Sequence, residues 1–311
     1  MTAAHIQAEL KRVTGLESFD GSLESLKPLV PAAATAIAFI LLFGSTFASL
    51  AGDWWNSPEA GHGLLLFPVA IWWAWREGIR ADARGNAGLG MAIIVFAVLV
   101  RVAAGLAAEL FSMRASMVIG MVGLTVFYYG VRQVIHWWLP FVLMALSVPL
   151  PELVTQALAL PLQFKASQMG AALLQMRDVP VRLTGNVIRL PGQELFVTEA
   201  CSGLRSLTAL ISLAVLLGAL MLRSSVLRIL LLVAAIPIAV VINGVRVFFT
   251  GFLVYFVDPK LGQGFMHITE GWLLFIVSLT SLTLLVQVAA FMERRFMAPV
   301  EREITPEMAN A

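Results

Sequence analysis

Apolar runs long enough to cross a lipid bilayer recur along this chain, and no other feature limits its possible folds as strongly. The hydrocarbon core of a bilayer is about 30 Å thick, which an α-helix crosses with about 20 residues. Eight candidate spans follow one another, at 29–50, 62–75, 87–108, 115–131, 137–155, 203–222, 227–256 and 271–291. The second and fifth are short or interrupted by proline. The pattern predicts an all-α polytopic membrane protein with about eight transmembrane helices.

The composition agrees with this class and excludes several others. Of 311 residues, 59% are hydrophobic and 13% are charged, whereas soluble proteins have about 45–50% apolar and about 25% charged residues. An ordinary soluble enzyme and a disordered chain are therefore excluded. The single cysteine excludes an internal disulfide and a Cys-rich metal site. The net charge of +2 does not indicate a nucleic-acid partner, and neither zinc-ligand spacing nor a Gly-rich phosphate loop occurs. We therefore predict no cofactor and no metal.

Arginines in the short loops predict the orientation in the membrane. Loops rich in Lys and Arg stay in the cytoplasm, and such loops alternate with loops that are poor in both. With eight spans, both termini are cytoplasmic. We expect no removable signal peptide. The predicted organisation is a cytoplasmic segment at 1–28, a membrane domain at 29–292 with an extracytoplasmic insertion at 156–200, and a cytoplasmic tail at 293–311.

The insertion before the sixth span has the least lipid-like sequence. Residues 152–176 have the pattern of an amphipathic helix at the membrane interface. Polar and aliphatic residues then alternate around Gly185-Asn186, which predicts a β-hairpin. The insertion is either a lid or substrate platform, or a connector.

Cys201 lies in FVTEACSGLRSL, where the insertion leads into the sixth span. The N-terminal end of a helix favours a thiolate. Arg205, four residues on, adds positive charge on the same face. This is a suitable setting for a nucleophile, although an isolated cysteine in a membrane helix is often only a small buried apolar residue.

Arg246 lies inside the seventh span, where a charged side chain is costly and by default marks a functional site or a buried pair. Asn243 lies on the same face, three residues earlier. The guanidinium is expected either to hold a substrate carboxylate or carbonyl oxygen, or to form a structural ion pair with Glu199 or Glu270. An anion-binding Arg246 also fits a transporter or flippase, and a non-catalytic assembly scaffold is a third possibility. We find no convincing internal repeat of the kind that transporters often show.

His267 begins the eighth span, on the side predicted to face outward. Alone it reads as an interfacial anchor. The topology, however, brings it to the same outer leaflet as Cys201 and Arg246. A cysteine with a histidine supplies a nucleophile and a general base or acid, and an arginine stabilises the oxyanion or orients the acyl group. The three residues therefore predict acyl transfer at a peptide bond through a thioester.

Three further polar residues receive structural interpretations. His62, at the outer start of the second span, is expected to be an interfacial anchor, with a place in the site as the alternative. Arg101 is expected to pair with Glu109, about two helical turns further on.

Several segments together resemble the exosortase/archaeosortase family of membrane sorting enzymes. The most specific are EACSGLRSL at 199–207 and PIAVVINGVRV at 237–247, followed by His267. AGHGLLLFPVAIWWAWR at 60–76 and WWLPFVLMALSVPLP at 137–151 are similar as well. Together the similar segments cover most of residues 55–290.

The resemblance implies a bacterial inner-membrane cysteine protease and transpeptidase. Such enzymes recognise a PEP-CTERM-like signal at the C-terminus of exported proteins: a short motif, a membrane helix and a basic tail. The resemblance makes Cys201 the nucleophile, Arg246 the substrate-binding or transition-state arginine, and His267 the general base and acid. Arg205 then has a supporting role, and the cleavage site lies on the periplasmic side. The family's entry motif has a serine before its histidine, whereas this chain has Gly61 before His62.

Overall fold

The computed structural model describes residues 29–57, 60–197, 203–259 and 265–296, with the side chains of 29, 265–272 and 296 outside that description. The chain divides into one unit through Asp53 and a second unit from Trp54. The helices are α1 (Leu29–Asn56), α2 (Gly63–Glu77), α3 (Ala87–Leu106), α4 (Leu110–Tyr129), α5 (Val131–His136), α6 (Trp138–Leu146), α7 (Glu152–Gln175), α8 (Leu204–Met221), α9 (Ser225–Phe256) and α10 (Phe265–Phe296). The strands are β1 (Arg182–Thr184), β2 (Val187–Leu190) and β3 (Gln193–Phe196).

Six helices of the described chain are long and apolar enough to cross a membrane: α1, α3, α4, α8, α9 and α10. The prediction of an all-α, multi-pass membrane protein is confirmed. The two proline-interrupted runs form shorter helices: α2 has 15 residues around Pro68, and α6 has nine residues. At 1.5 Å per residue these two helices are only about 22 and 14 Å long.

In the first unit, α1 runs through Asp53 as a continuous helix. Within it, the rings of Phe39 and Phe43 pack with their centroids 4.8 Å apart. The hydroxyl of Thr35 donates to the carbonyl of Pro31 at 2.8 Å, which gives the polar group a partner inside the helix itself.

In the second unit, α3 and α4 form a tightly packed antiparallel pair. The Asn86 side chain caps α3 by accepting from the Leu89 N–H at 3.0 Å. Glu109 caps α4 by accepting from Phe111 N at 2.9 Å and Ser112 N at 2.7 Å. Hydrogen bonds from Ser112 lower the pKa of the Glu109 carboxyl. The expected pairing with Arg101 is therefore wrong: the orphan N–H groups at the start of α4 take the carboxylate instead.

Contacts between loops gather the arginine-rich turns at one end of the second unit. The Trp137 indole donates to the Gly78 carbonyl at 3.0 Å. The Arg228 guanidinium lies 5.8 Å from the centre of the Trp138 ring. At the start of α9, the Glu293 carboxylate accepts from the backbone N–H groups of the 223–224 turn. The arginine-rich loops are thus neighbours in space.

α7 packs against α9 through small residues, as helices in membranes do. A Cβ at Gly170 would lie 2.5 Å from Val247 Cγ1, and one at Gly244 would lie 2.8 Å from Met169 Cβ. The buried face of α7 contains Gln163 and Ser167 beside small residues, whereas Leu160 on its other side is 52% exposed. A helix was expected here and is present, and its exposed side includes both Leu160 and the charged Lys165.

The predicted hairpin forms around Gly185-Asn186, with Leu183 paired to Ile188 across it. A third strand, which the sequence did not indicate, pairs antiparallel with β2 and completes the sheet β1-β2-β3. Ile188 and Val197 pack into a core with Leu174 of α7 and Val247 of α9. The small sheet is therefore fixed directly on the α7–α9 pair.

Candidate active site

Gly203 and Asn243 lie in close contact. Gly203 precedes α8 in a left-handed conformation, with φ at +80°. A Cβ there would lie 2.8 Å from Asn243 Cγ and 2.9 Å from Asn243 Cβ. Only glycine fits this position without strain, because it tolerates positive φ and has no side chain. The start of α8 is thus seated on the Asn243 side chain of α9.

Asn243 and Arg246 lie about one helical turn apart on α9 and share a face. Asn243 is 5% exposed, and Arg246 is half-buried. The backbone of this turn is held by the Thr250 hydroxyl, which donates to the Arg246 carbonyl at 3.0 Å. An amide and a guanidinium therefore face the same part of the bundle interior, close to Gly203.

α10 runs antiparallel to α9, since Glu293 near its end contacts the turn before α9. From that level, Arg246 lies about 33 Å along α9 and His267 about 39 Å along α10. The backbone of His267 is thus about one helical turn beyond Arg246 along the bundle. α10 packs against both α8 and α9, so these two positions lie at the same end of adjoining helices.

Other predicted residues lie outside the described part of the chain. Cys201 and Glu199 belong to the segment 198–202, which the structure does not describe, and the side chains of His267 and Glu270 are not described. Arg205 is described, and it is exposed on the first turn of α8. Of the five predicted site residues, the structure brings together Asn243 and Arg246.

The His62 ring is held against the end of α6 by a hydrogen bond. Its Nε2 lies 3.1 Å from the carbonyl of Leu146, to which it donates. The Trp54 indole donates to the next carbonyl, that of Ser147, at 2.8 Å. These two side chains satisfy carbonyls at the end of α6, where the helix itself supplies no donors.

Two residues with a place near the site were not found from the sequence. Gly203 lies inside the CSGLRSL segment, but nothing in that segment except the glycine itself indicates a left-handed φ. Asn186 was interpreted as a turn residue, whereas its side chain also donates to the Val197 carbonyl at 3.0 Å. A hydrogen bond across eleven residues cannot be read from a local pattern.

A cavity of about 700 Å³ is lined by residues including Asp82, Arg84, Tyr129 and Arg132. It lies at the arginine-rich end, away from Asn243 and Arg246. Within the described ranges, no group of three or more His, Cys, Asp or Glu residues could hold a metal ion.

Comparison with known proteins identifies the family. The model of the transmembrane exosortase family matches residues 54–284, which is well over half of the chain. No curated protein matches the chain. No solved structure matches it.

Proposed function

The chain belongs to the transmembrane exosortase family, and on that premise we propose that Cys201 is the nucleophile of a membrane-embedded cysteine protease and transpeptidase. The family is one of cysteine-type membrane transpeptidases with a role in protein sorting. The proposed substrates are exported proteins with a C-terminal PEP-CTERM-like motif, membrane helix and basic tail. The proposed location is the bacterial inner membrane, with both termini in the cytoplasm.

The observation that carries the proposal is the contact between Gly203 and Asn243. Two residues of fully extended chain span at most about 7 Å. Cys201 precedes Gly203 by only two residues, so the length of the chain keeps it near the Asn243–Arg246 turn. This proximity supports a shared site without requiring any particular conformation of segment 198–202.

The proposed reaction divides a peptide-bond transfer into two steps. The Cys201 thiolate attacks the scissile carbonyl carbon, a C–S bond forms, and the C–N bond breaks as His267 gives its proton to the leaving amine. Arg246 and Asn243 donate hydrogen bonds to the oxygen on which negative charge develops, which is the group that such donors stabilise most. His267 then takes the proton from water or from an acceptor amine. That nucleophile releases the acyl group and regenerates the thiolate.

The gathering of arginine-rich turns at one end of the second unit supports the proposed orientation. Positively charged loops stay on the cytoplasmic side, and the Asn243–Arg246 turn lies about 28 to 33 Å along α9 from that end. This separation is close to the thickness of the hydrocarbon core. It therefore favours a site at the outer boundary, where a substrate with a cytoplasmic basic tail exposes its cleavage motif.

Replacement of Cys201 tests the proposal. Cys201→Ala is expected to abolish cleavage of an exported reporter that carries the sorting signal, while the protein still inserts into the membrane. The matched control is Thr280→Ala on α10, which removes an exposed hydroxyl bonded only within its own helix and should leave cleavage unchanged. Full cleavage by the Cys201→Ala variant would overturn the nucleophile assignment. A transporter, in contrast, would lose flux with Arg246→Gln and tolerate the loss of the cysteine.

A further inference from the structure

Asn186 forms a reciprocal pair of hydrogen bonds with Val197, the last described residue before the cysteine-bearing segment. Its Nδ2 donates to the Val197 carbonyl at 3.0 Å. The Val197 N–H donates to the Asn186 carbonyl, also at 3.0 Å. We propose that Asn186 is a positioning residue that holds the N-terminal end of segment 198–202 for the reaction. The proposal rests on the proposed role of Cys201.

The position of Val197 gives these bonds a rigid support. Val197 is 1% exposed and packs in the core formed by the sheet with α7 and α9. The Asn186 amide also contacts the Gln163 Oε1 of α7 at 3.5 Å, and Gln163 is itself buried. Asn186 therefore links three parts of the molecule: the hairpin turn, α7 and the chain that leaves β3.

The bonds continue the sheet one residue beyond its last backbone pair. Val187 pairs with Phe196 in the ladder between β2 and β3. The next residue of the returning chain is Val197, and opposite it the hairpin turns away. The Asn186 side chain supplies the donor that no strand backbone supplies there. Without it, the Val197 carbonyl would be left without this bond in a buried setting, which is costly.

The turn alone does not require an amide at this position. Gly185 already supplies the positive φ of the two-residue turn, at +63°, and a hairpin turn with glycine first accepts several residues second. The donor of Asn186 is therefore available for the contact with Val197. At the other end of the same segment, Gly203 rests on Asn243. Asn186 thus bonds to the residue before segment 198–202, and Asn243 contacts the residue after it.

The test uses Asn186→Gly, which keeps the turn and removes the donor. A displacement of about 1 Å at a reacting group lowers a rate by about 100-fold. We therefore expect kcat for a signal peptide, measured with the full chain in lipid nanodiscs, to fall by about 10- to 100-fold. KM should change by less than about twofold, because Asn186 is not proposed to touch the substrate. The pH dependence of the alkylation rate of the sole cysteine should differ between Asn186→Gly and the unchanged protein.

Asn86→Gly is the matched control, since it also removes one asparagine side-chain bond, the cap of α3 at the arginine-rich end. Asn86→Gly should lower the melting temperature about as much as Asn186→Gly does. It should leave kcat and the alkylation rate of the cysteine unchanged. Asn186→Asp is a second variant in case the glycine variant does not fold. It keeps size and turn preference but puts an acceptor opposite the Val197 carbonyl, and it should also lower kcat.

Three outcomes would overturn the inference: a kcat within twofold of the unchanged protein in both Asn186 variants, equal losses of kcat in Asn86→Gly, or an unchanged alkylation profile. Failure of the proposed function has a different signature. If Cys201→Ala still cleaves the peptide, the nucleophile assignment fails whatever Asn186 does. If that variant is inactive while the Asn186 variants are fully active, the positioning role alone fails.

Discussion

Because Gly203 packs directly against Asn243, the substitution Gly203→Ala tests how the start of α8 is positioned. The new Cβ would lie 2.8 Å from Asn243 Cγ, whereas ordinary contacts begin at 3.4 Å. Relief of the overlap needs a shift of about 0.6 Å. The end of α8 can move more easily than the middle of α9, so we expect the start of α8 to move. The left-handed φ of +80° costs a non-glycine residue about 1–2 kcal/mol, and overpacking adds about 1–3 kcal/mol.

The two contributions can be separated with a second glycine. Gly192 also has a positive φ, at +73°, but a Cβ there would meet nothing within 4 Å. Gly192→Ala should therefore show the conformational cost of about 1–2 kcal/mol alone. The difference between the two variants in free energy of unfolding, measured by denaturation of the full chain in detergent, is the cost of the contact with Asn243.

Peptide cleavage should respond more strongly than stability. Because a misplacement of about 1 Å lowers a rate by about 100-fold, we expect Gly203→Ala to lose about 10- to 100-fold in kcat. Gly192→Ala should retain the unchanged rate. Equal cleavage rates and equal free energies of unfolding in the two variants would refute the reasoning that the start of α8 is fixed by Asn243.

Three further predictions concern parts of the molecule away from the site. Glu293→Ala should lower the free energy of unfolding by about 1–3 kcal/mol, because the backbone N–H groups of Arg223 and Ser224, just before α9, lose their acceptor. Glu194→Ala, which removes an exposed ion pair, should cost about 0–1 kcal/mol, and equal losses in the two variants would contradict this role of Glu293. Gly170→Val should cost at least about 1–3 kcal/mol in the same denaturation assay, through its overlap with Val247; an unchanged stability would contradict the close packing of α7 on α9. The pKa of Asp82 is lowered to about 2, chiefly by its hydrogen bond with an arginine, so the ionised form contributes stability above its ordinary pKa of 3.8 and loses it as pH falls toward 2. The melting temperature of the unchanged protein should therefore fall relative to that of Asp82→Asn as the pH is lowered from 4 to 2. A constant difference across that range would contradict the lowered pKa.

The sequence predicted those features that depend on local pattern. Apolar runs identified the six spanning helices, and Gly185-Asn186 identified the hairpin, because span length and turn chemistry are properties of short segments. Proline shortened two of the expected spans, and the sequence contained that signal as well. The expected pair of Arg101 with Glu109 was wrong because the spacing of two charges along a chain takes no account of orphan N–H groups at a helix start.

The features that depend on distant contacts could not be predicted. The third strand, the buried polar residues of α7 and the Asn186–Val197 bonds follow from how α7 and the sheet pack on α9. For Asn243 and Arg246 the sequence predicted a shared helix face, which α9 confirms. The contact between Gly203 and Asn243 could not be predicted from the sequence, because 40 residues separate the two positions.

The measurement that tests the central claim most directly is mass spectrometry of the enzyme during cleavage of a signal peptide. The chain has one cysteine, so an acyl-enzyme has one possible thiol. We expect the N-terminal fragment of the substrate to be attached to Cys201 as a thioester that hydroxylamine releases, and we expect Cys201→Ala to show neither adduct nor cleavage. Cleavage that proceeds in Cys201→Ala, with no adduct on the unchanged enzyme, would contradict the nucleophile assignment.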